Sequence, residues 1–552
     1  MKANVIFKTS RKFLLEWEDF GVFYTEKEYE VWLNGRYVLT SSRVIQTVSG
    51  LTPDTEYRVT LRCGGDICSE FSVRTDYEFV TLNVRRFGAK GDGIHDDTLA
   101  LQTAIASCPK DGRVYIPEGK YLVTSLFLKS DFTLDIGKNA VLLGHAEREK
   151  FGVLPGMIQS YDETGEYNLG SWEGNPLDIF TSMITGIHVS NVVITGEGTL
   201  DGCATFDDWW EDDRAKIIAF RPRMVFLNHC DHVVLHGVTI QNSPSWNLHP
   251  YFSDDLRFLD LTILNPWDSP NTDGMDPESV NGLEIAGIYF SLGDDCIALK
   301  SGKYYMGHKY KVPSQNIEVR QCCMNNGHGA VTIGSEMAAG VKHVHVKDCL
   351  FLHTDRGLRI KTRRGRGKDA VVEDICFENI RMDHVLTPFV LNSFYNCCDP
   401  DCHSDYVKCK SPLPVDERTP SVKQMVFRNI EAHNCHVAGA FLYGLPEKKV
   451  DYVEFDHVTI DYDENPEPDE PAMMDDIGLT AKMGLYINNV QKLVLNDVSI
   501  SGCEGEPMIF EHIGQITGNQ TMTGSTVINP ARKEKEHEYD DCRYGKYGCG
   551  RR

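Results

Sequence analysis

From Val114 to the neighbourhood of Leu495 the chain repeats one short phrase, an alternation of apolar and polar residues closed by a polar turn. Phe132-Thr133-Leu134-Asp135-Ile136, Asn191-Val192-Val193-Ile194, Gly282-Leu283-Glu284-Ile285, His343-Val344-His345-Val346 and Tyr452-Val453-Glu454-Phe455 are instances. Residues holding one place in the phrase between Val192 and Leu493 recur at intervals of 23, 27, 27 and 28, with longer gaps where polar segments intervene. Alternation with period two is the signature of a strand, and a fixed repeat of this length is that of a solenoid. Two-residue hairpin turns, which a sandwich needs between neighbouring strands, are few. The pattern predicts an all-β chain whose main body, residues 77–525, is a right-handed parallel β-helix.

Residues 1–76 carry a different rhythm. Short alternating segments such as Tyr29-Glu30-Val31-Trp32-Leu33 and Arg58-Val59-Thr60-Leu61 are broken at intervals by turn residues, which predicts a small β-sandwich domain ahead of the solenoid. Leu51-Thr52-Pro53-Asp54-Thr55-Glu56-Tyr57 resembles the corner before a late strand of fibronectin type III modules. Such a domain acts as a packing spacer or as a ligand-binding module. Phe87-Gly88-Ala89-Lys90-Gly91-Asp92-Gly93 invites comparison with phosphate-cradling loops but lacks the Gly-Lys-Ser/Thr word. It leads into Asp96-Asp97-Thr98-Leu99-Ala100-Leu101, read as a capped amphipathic helix that closes the first coil. Residues 145–178, 397–420 and 462–482 read as inserted loops, and residues 526–552 as a flexible tail.

The net charge of -24 over 552 residues argues against nucleic acid as a partner. It also repels acidic polysaccharide, so an acidic substrate would need a local basic patch. No apolar run is long enough to span a bilayer, and the opening MKANVIFKTSRKFLLEWEDF has no secretory pattern. Among the 18 cysteines, Cys296, Cys322, Cys349 and Cys376 are spaced by 26, 27 and 27 residues, which suits small buried side chains stacked coil on coil. A reduced cytoplasmic setting is expected, or a periplasmic or secreted one if a leader has been removed. Cys397, Cys398, Cys402 and Cys409 with His403 form a cluster open to two readings, zinc or free thiols.

Four polar words between Asn271 and Lys361 carry the chemistry: Asn271-Thr272-Asp273-Gly274, Gly293-Asp294-Asp295-Cys296, Gly327-His328-Gly329 and Arg359-Ile360-Lys361. If each coil returns to the same face, they line one groove. Three carboxyls gathered there cannot all ionise easily, so one keeps its proton as a general acid while others activate water. Singly, an Asp-Asp pair is as readily a surface turn or a calcium ligand, and a His between glycines a plain turn. Arg359 and Lys361 share a strand face, and with Arg356, Arg363, Arg364, Arg366 and Lys368 they make seven basic residues in thirteen, the patch that an acidic substrate requires. Trp246 and His249 stand one coil before the first word and suit either sugar stacking or core packing.

In order and spacing the four words resemble the signature of the polygalacturonases, glycoside hydrolase family 28, over roughly residues 80–510, and the extra domain resembles that of bacterial exo-acting members. The resemblance implies inverting hydrolysis of α-1,4-galacturonosyl bonds, without cofactor or metal. It implies Asp294 as general acid, Asp273 and Asp295 as the pair activating water, and His328 as the group assisting the acid. It implies Arg359, Lys361 and Asn271 as contacts to galacturonate-containing pectic oligosaccharides. Exo action releasing mono- or digalacturonate is expected, with residues 145–178 and the sandwich walling one end of the groove. Other readings are a hydrolase of rhamnogalacturonan or xylogalacturonan fragments, a pectate lyase, and a noncatalytic glycan-binding solenoid.

Overall fold

The computed structural model describes residues 3–18, 21–159, 166–212, 215–397 and 399–519. Its body is a right-handed parallel β-helix whose coils present three faces. Strands of the first face stack in register, so one inward position makes a continuous ladder: Leu134, Ile194, Leu235, Phe258, Ile285, Val319, Val346, Phe377, Phe427, Phe455 and Leu495. All of these side chains are buried in one core. A one-residue slip would turn the whole row outward, which is why the register holds.

Coil corners are made by single residues in the left-handed backbone region. Asn191, His232, Asp255, Asn316, His343 and Asp374 all have φ between 48 and 56° at successive strand starts. Asn, Asp and His tolerate that region better than other side chains. The helix Thr98–Ser107 buries Leu101, Ala104 and Ile105 against the core and covers the first coil. Asp97 turns back instead of capping the helix, and its carboxylate accepts from the backbone N–H groups of Lys90 (2.6 Å) and Gly91 (2.8 Å). The glycine loop therefore binds a carboxylate of its own chain, which removes the phosphate reading.

The amino-terminal domain is a sandwich of two antiparallel sheets. One holds Ala3–Lys8, Phe13–Trp17 and Ile45–Val48, the other Tyr24–Leu33, Arg36–Arg43, Glu56–Cys63 and Asp66–Arg74. Tyr57 Oη accepts from Thr52 N–H at 2.9 Å, tying the corner at residues 51–57. Phe13, Leu14 and Leu15 are all fully buried, so this strand faces the sandwich core on one side and the solenoid on the other. The last sandwich strand ends at Arg74, and the first strand of the solenoid begins at Thr81.

Two expectations are corrected here. The sandwich does not wall the groove. It lies along the corner between the first and second faces, where Lys12 meets Asp135 (3.1 Å), Arg43 donates to Gly287 O (2.7 Å) and Arg320 pairs with Glu16 (2.8 Å). The four equally spaced cysteines do not share one stack either. Cys322 and Cys349 are buried at neighbouring corners and Cys296 lies under the third face, but Cys376 points outward from the first face, half-exposed. Coils of unequal length let an even spacing fall on different faces.

His236 sits inside the seam between the domains, with Nε2 2.9 Å from Thr47 Oγ1 and Nδ1 2.9 Å from Thr195 Oγ1. Burial, reinforced by the charge of Lys12, pushes its imidazole down to about 3 from 6.5. Because the folded value lies below the unfolded one, the associated stability is complete above pH 6.5 and is lost as pH falls towards 3. We expect the melting temperature to fall between pH 7 and about pH 4.5, and to fall less in His236→Gln. Equal losses in both proteins would refute this role.

Candidate active site

The third face sets the site. Its inward row runs Val225, Leu248, Met275, Ile297, Val331 and Leu358. Asp273 and Asp295 stand two residues before Met275 and Ile297, in the bends that lead into those strand positions, and so stack on neighbouring coils, while alternation turns the residues one place from the inward row outward. By the same rule Arg359 and Lys361 face outward two coils beyond Asp295. Gly329 occupies the coil between. A Cβ there would stand 2.4 Å from Thr332 Oγ1 and 2.8 Å from Asp295 Oδ1, so the glycine leaves the gap through which Asp295 crosses the intervening coil. Asp295 accepts from Arg359 Nη1 at 3.0 Å and from Lys361 Nζ at 2.7 Å.

The sequence-predicted residues are thus brought together. The nearest oxygens of Asp273, Asp294 and Asp295 lie within 4.8 Å of one another. Asp273 and Asp295 are buried, at 4% and 1% exposure, whereas the Asp294 side chain keeps 22% of its surface and lines a cleft of about 470 Å³. Asn271, with φ of 53°, and His328 line the same cleft, and Asn271 Oδ1 accepts from Arg221 Nη2 at 2.6 Å. His328 Nδ1 is 3.2 Å from Asp294 Oδ1. The spacing of the three carboxyls is tighter than the roughly 6.5–9.5 Å that an intervening water needs.

The same three groups differ in charge. Burial drives Asp273 well above the usual carboxylate range, and the neighbouring Asp276 and Asp294 push the same way. Burial also raises Asp295, but Lys361 and Arg359 outweigh it and keep the carboxylate ionised. For Asp294 burial is likewise outweighed, here by the hydrogen bond and charge of His328, and the net direction is down. His328 is raised in turn by that hydrogen bond. Burial thus favours the neutral form at Asp273, the two cations favour the anion at Asp295, and Asp294 shares its environment with an imidazole at the cleft.

Sequence reasoning missed what surrounds the trio. Trp267, 79% exposed, forms the cleft rim with His353 and Asp355. On the outer side of the third face, covered by residues 171–174, lies a buried charged layer in which Lys300 stands 3.3 Å from Asp276 and 3.0 Å from Glu336. Burial pushes Asp276 up to about 8 and Glu278 up to about 7. Its signal in the sequence is charge at two-residue spacing within strand phrases, as in Asp276 and Glu278.

Position decides two further expectations and bears on a third. Trp246 and His249 are buried: Trp246 stacks on Trp172 at 6.1 Å, and His249 Nε2 meets Glu278 at 3.0 Å, so packing is their role. The basic stretch is not an open patch. Arg356, Lys361, Arg363, Arg364 and Arg366 are buried and paired, Arg364 with Glu447, Arg363 and Arg366 with Asp399, and Arg356 with Asp469. Arg359 and Lys361 are committed to Asp295. In the cysteine insertion Cys402 and Cys409 are buried, His403 pairs with Asp475 at 3.0 Å, and no three ligand atoms gather among the described residues. Cys398, residues 160–165 of the first insertion and the tail 526–552 lie outside the described residues.

Gly329→Ala should displace Asp295 from its two cations and destabilise the fold by about 1–3 kcal/mol through overpacking. Urea unfolding measures this, and an unchanged midpoint would show that the gap is not needed.

The family model of glycosyl hydrolases family 28 matches residues 136–463. A probable polygalacturonase of Vitis vinifera is 32% identical over 382 residues, covering 68% of this chain and 73% of that protein. An exopolygalacturonase of Zea mays is 26% identical, covering 69% and 84% respectively. Among solved structures, the family 28 exopolygalacturonase of Yersinia enterocolitica superposes with a TM-score of 0.68 at 19% identity, over 93% of this chain and 97% of that one. The exopolygalacturonase of Thermotoga maritima gives 0.61 at 25% identity, over 76% and 91%. By the extent of the family match, and with the four words gathered on one face, this chain belongs to glycosyl hydrolases family 28.

Proposed function

We propose that this protein is an exo-acting polygalacturonase that hydrolyses α-1,4-galacturonosyl bonds with inversion and releases mono- or digalacturonate from one chain end. The observation that carries the reading is the division of labour among three carboxyls of which Asp294 faces the cleft. Asp294 protonates the glycosidic oxygen, and the positive charge of His328 stabilises the carboxylate left behind. Asp295, ionised between Arg359 and Lys361, and Asp273 orient the attacking water and take its proton.

The trio carries one proton through this cycle. A proton resting on Asp273 corresponds to the state after hydrolysis, and its return to Asp294, between oxygens within 4.8 Å, resets the site. Inversion further requires Asp294 to swing into the cleft, because a water must fit between acid and base. Its partial exposure allows that movement. The substrate carboxylate reaches Arg359 and Lys361 by sharing them with Asp295, once Met473, whose Sδ lies 2.8 Å from Arg359 Nη2, moves aside.

Coverage of the third face on both sides of the trio supports exo action. On one side Trp172 stacks on Phe220 at 4.8 Å and Gly174 O accepts from Lys303 N–H. On the other, Asp399 pairs with Arg363 and Arg366 and Met473 lies over Arg359, and the two insertions meet at Lys303, which also pairs with Asp399. A groove closed in this way admits a terminus. The names of the maize and Thermotoga relatives point the same way.

Defined galacturonate oligomers with chromatographic identification of products test the reading. We expect one- or two-sugar products, the β-anomer appearing first, and little early fall in polygalacturonate viscosity. Rapid viscosity loss with mixed oligomers would refute exo action, and an ultraviolet-absorbing unsaturated product would indicate a lyase. Asp294→Asn should abolish turnover and leave substrate affinity within roughly an order of magnitude. Near wild-type activity would reject Asp294 as the acid.

A further inference from the structure

The first face, away from the cleft, carries a set of side chains that hydrolysis does not use. Val341–Leu352 and Val371–Asp383 run parallel and in register, with His345 directly beside Cys376. Their inward partners Val344, Val346, Ile375 and Phe377 are buried in the core, so alternation turns His345, Cys376 and Glu378 outward together. His345 Nε2 lies 3.2 Å from a Glu378 carboxylate oxygen. One ligand atom from each of the three, imidazole nitrogen, thiol sulfur and carboxylate oxygen, falls within 4.8 Å of the others.

The charges around this group are already paired with one another. On the preceding strand Glu318 is held by Arg320 (3.1 Å) and Lys347 (3.4 Å), and beyond Cys376 the pair Arg428–Glu454 closes at 3.4 Å. Cys376 itself is a free, half-exposed thiol. His345 and Glu378 keep 40% and 43% of their side-chain surface, enough freedom to close from their present spacing to metal-ligand distances. The backbone beneath them is fixed by two continuous parallel ladders, which holds the ligand carriers in place before any ion arrives.

We propose that His345, Cys376 and Glu378 form a divalent metal site of the zinc type on the first face of the solenoid. A thiolate, an imidazole and a carboxylate together favour Zn²⁺ over the hard cations Mg²⁺ and Ca²⁺, and three protein ligands leave a fourth position for water. On binding, the Cys376 thiol gives its proton to solvent as the sulfur–metal bond forms, with no change of oxidation state. The ion ties two neighbouring coils and stabilises the folded chain by mass action.

Titration of the reduced full-length protein with Co²⁺, followed by absorption, tests the assignment. We expect one equivalent to produce a thiolate-to-cobalt charge-transfer band that Zn²⁺ displaces, and Zn²⁺ to raise the melting temperature. Both effects should vanish in Cys376→Ser, while His345→Ala and Glu378→Gln weaken Zn²⁺ binding by ~10-fold or more. Cys63, Cys68, Cys203, Cys397 and Cys503 are also partly exposed, so the single serine substitution decides which thiol is responsible. Absence of the band in the wild-type protein, or its survival in Cys376→Ser, overturns the proposal. So does an undiminished affinity in Glu378→Gln, which leaves the thiol intact.

Discussion

The parallel register of the coils is the constraint on which the rest of this structure depends. Each coil hydrogen-bonds to the next at a spacing of about 4.8 Å, and the inward ladder from Leu134 to Leu495 fixes which residue of every strand faces solvent. The matching inward row of the third face, from Val225 to Leu358, does the same for the site. Asp273 and Asp295 become neighbours, and Arg359 and Lys361 are delivered two coils away. Gly329 keeps the coil between them low enough for Asp295 to reach across. Local bends are left to single Asn, Asp and His residues at the corners, which is why a long chain turns this often without long loops.

Charge is the second theme. A protein with net charge -24 nevertheless buries some of its cations, and several of these are held by carboxylates. Burying an ion pair gains little stability over apolar packing, but breaking one is expensive. The buried layer of Lys300, Asp276 and Glu336 therefore ties neighbouring coils together, and Arg363 and Arg366 fix the insertion that carries Asp399 over the third face. The same arrangement leaves Asp294 and His328 facing the cleft while their partners remain enclosed.

Much of this was legible in the sequence, for physical reasons. Strand alternation and the repeat spacing report directly on the stacked core, and the four words report on the groove because the repeat returns them to one side. Other residues were not legible. The basic stretch from Arg356 to Lys368 has the composition of an exposed patch, and nothing local reveals that Asp399 and Asp469 arrive from distant insertions, and Glu447 from a distant turn, to pair with it. Trp246 reads equally as a sugar platform until Trp172 is seen to cover it. The sandwich was misplaced because order along the chain says which domain comes first, not which corner of the solenoid it grips. Cys376 shares a sequence spacing with Cys349 but not a direction, since the coils between them differ in length.

The central claim is that the three clustered carboxyls hold one proton at neutral pH, with Asp295 permanently ionised and Asp273 carrying that proton in the empty site. Infrared difference spectroscopy of the protonated-carboxyl stretch, comparing the wild-type protein with Asp273→Asn and Asp295→Asn, measures it directly. The account predicts a protonated-carboxyl signal at neutral pH that is lost in Asp273→Asn and retained in Asp295→Asn. A signal that survives in Asp273→Asn but disappears in Asp295→Asn would contradict it.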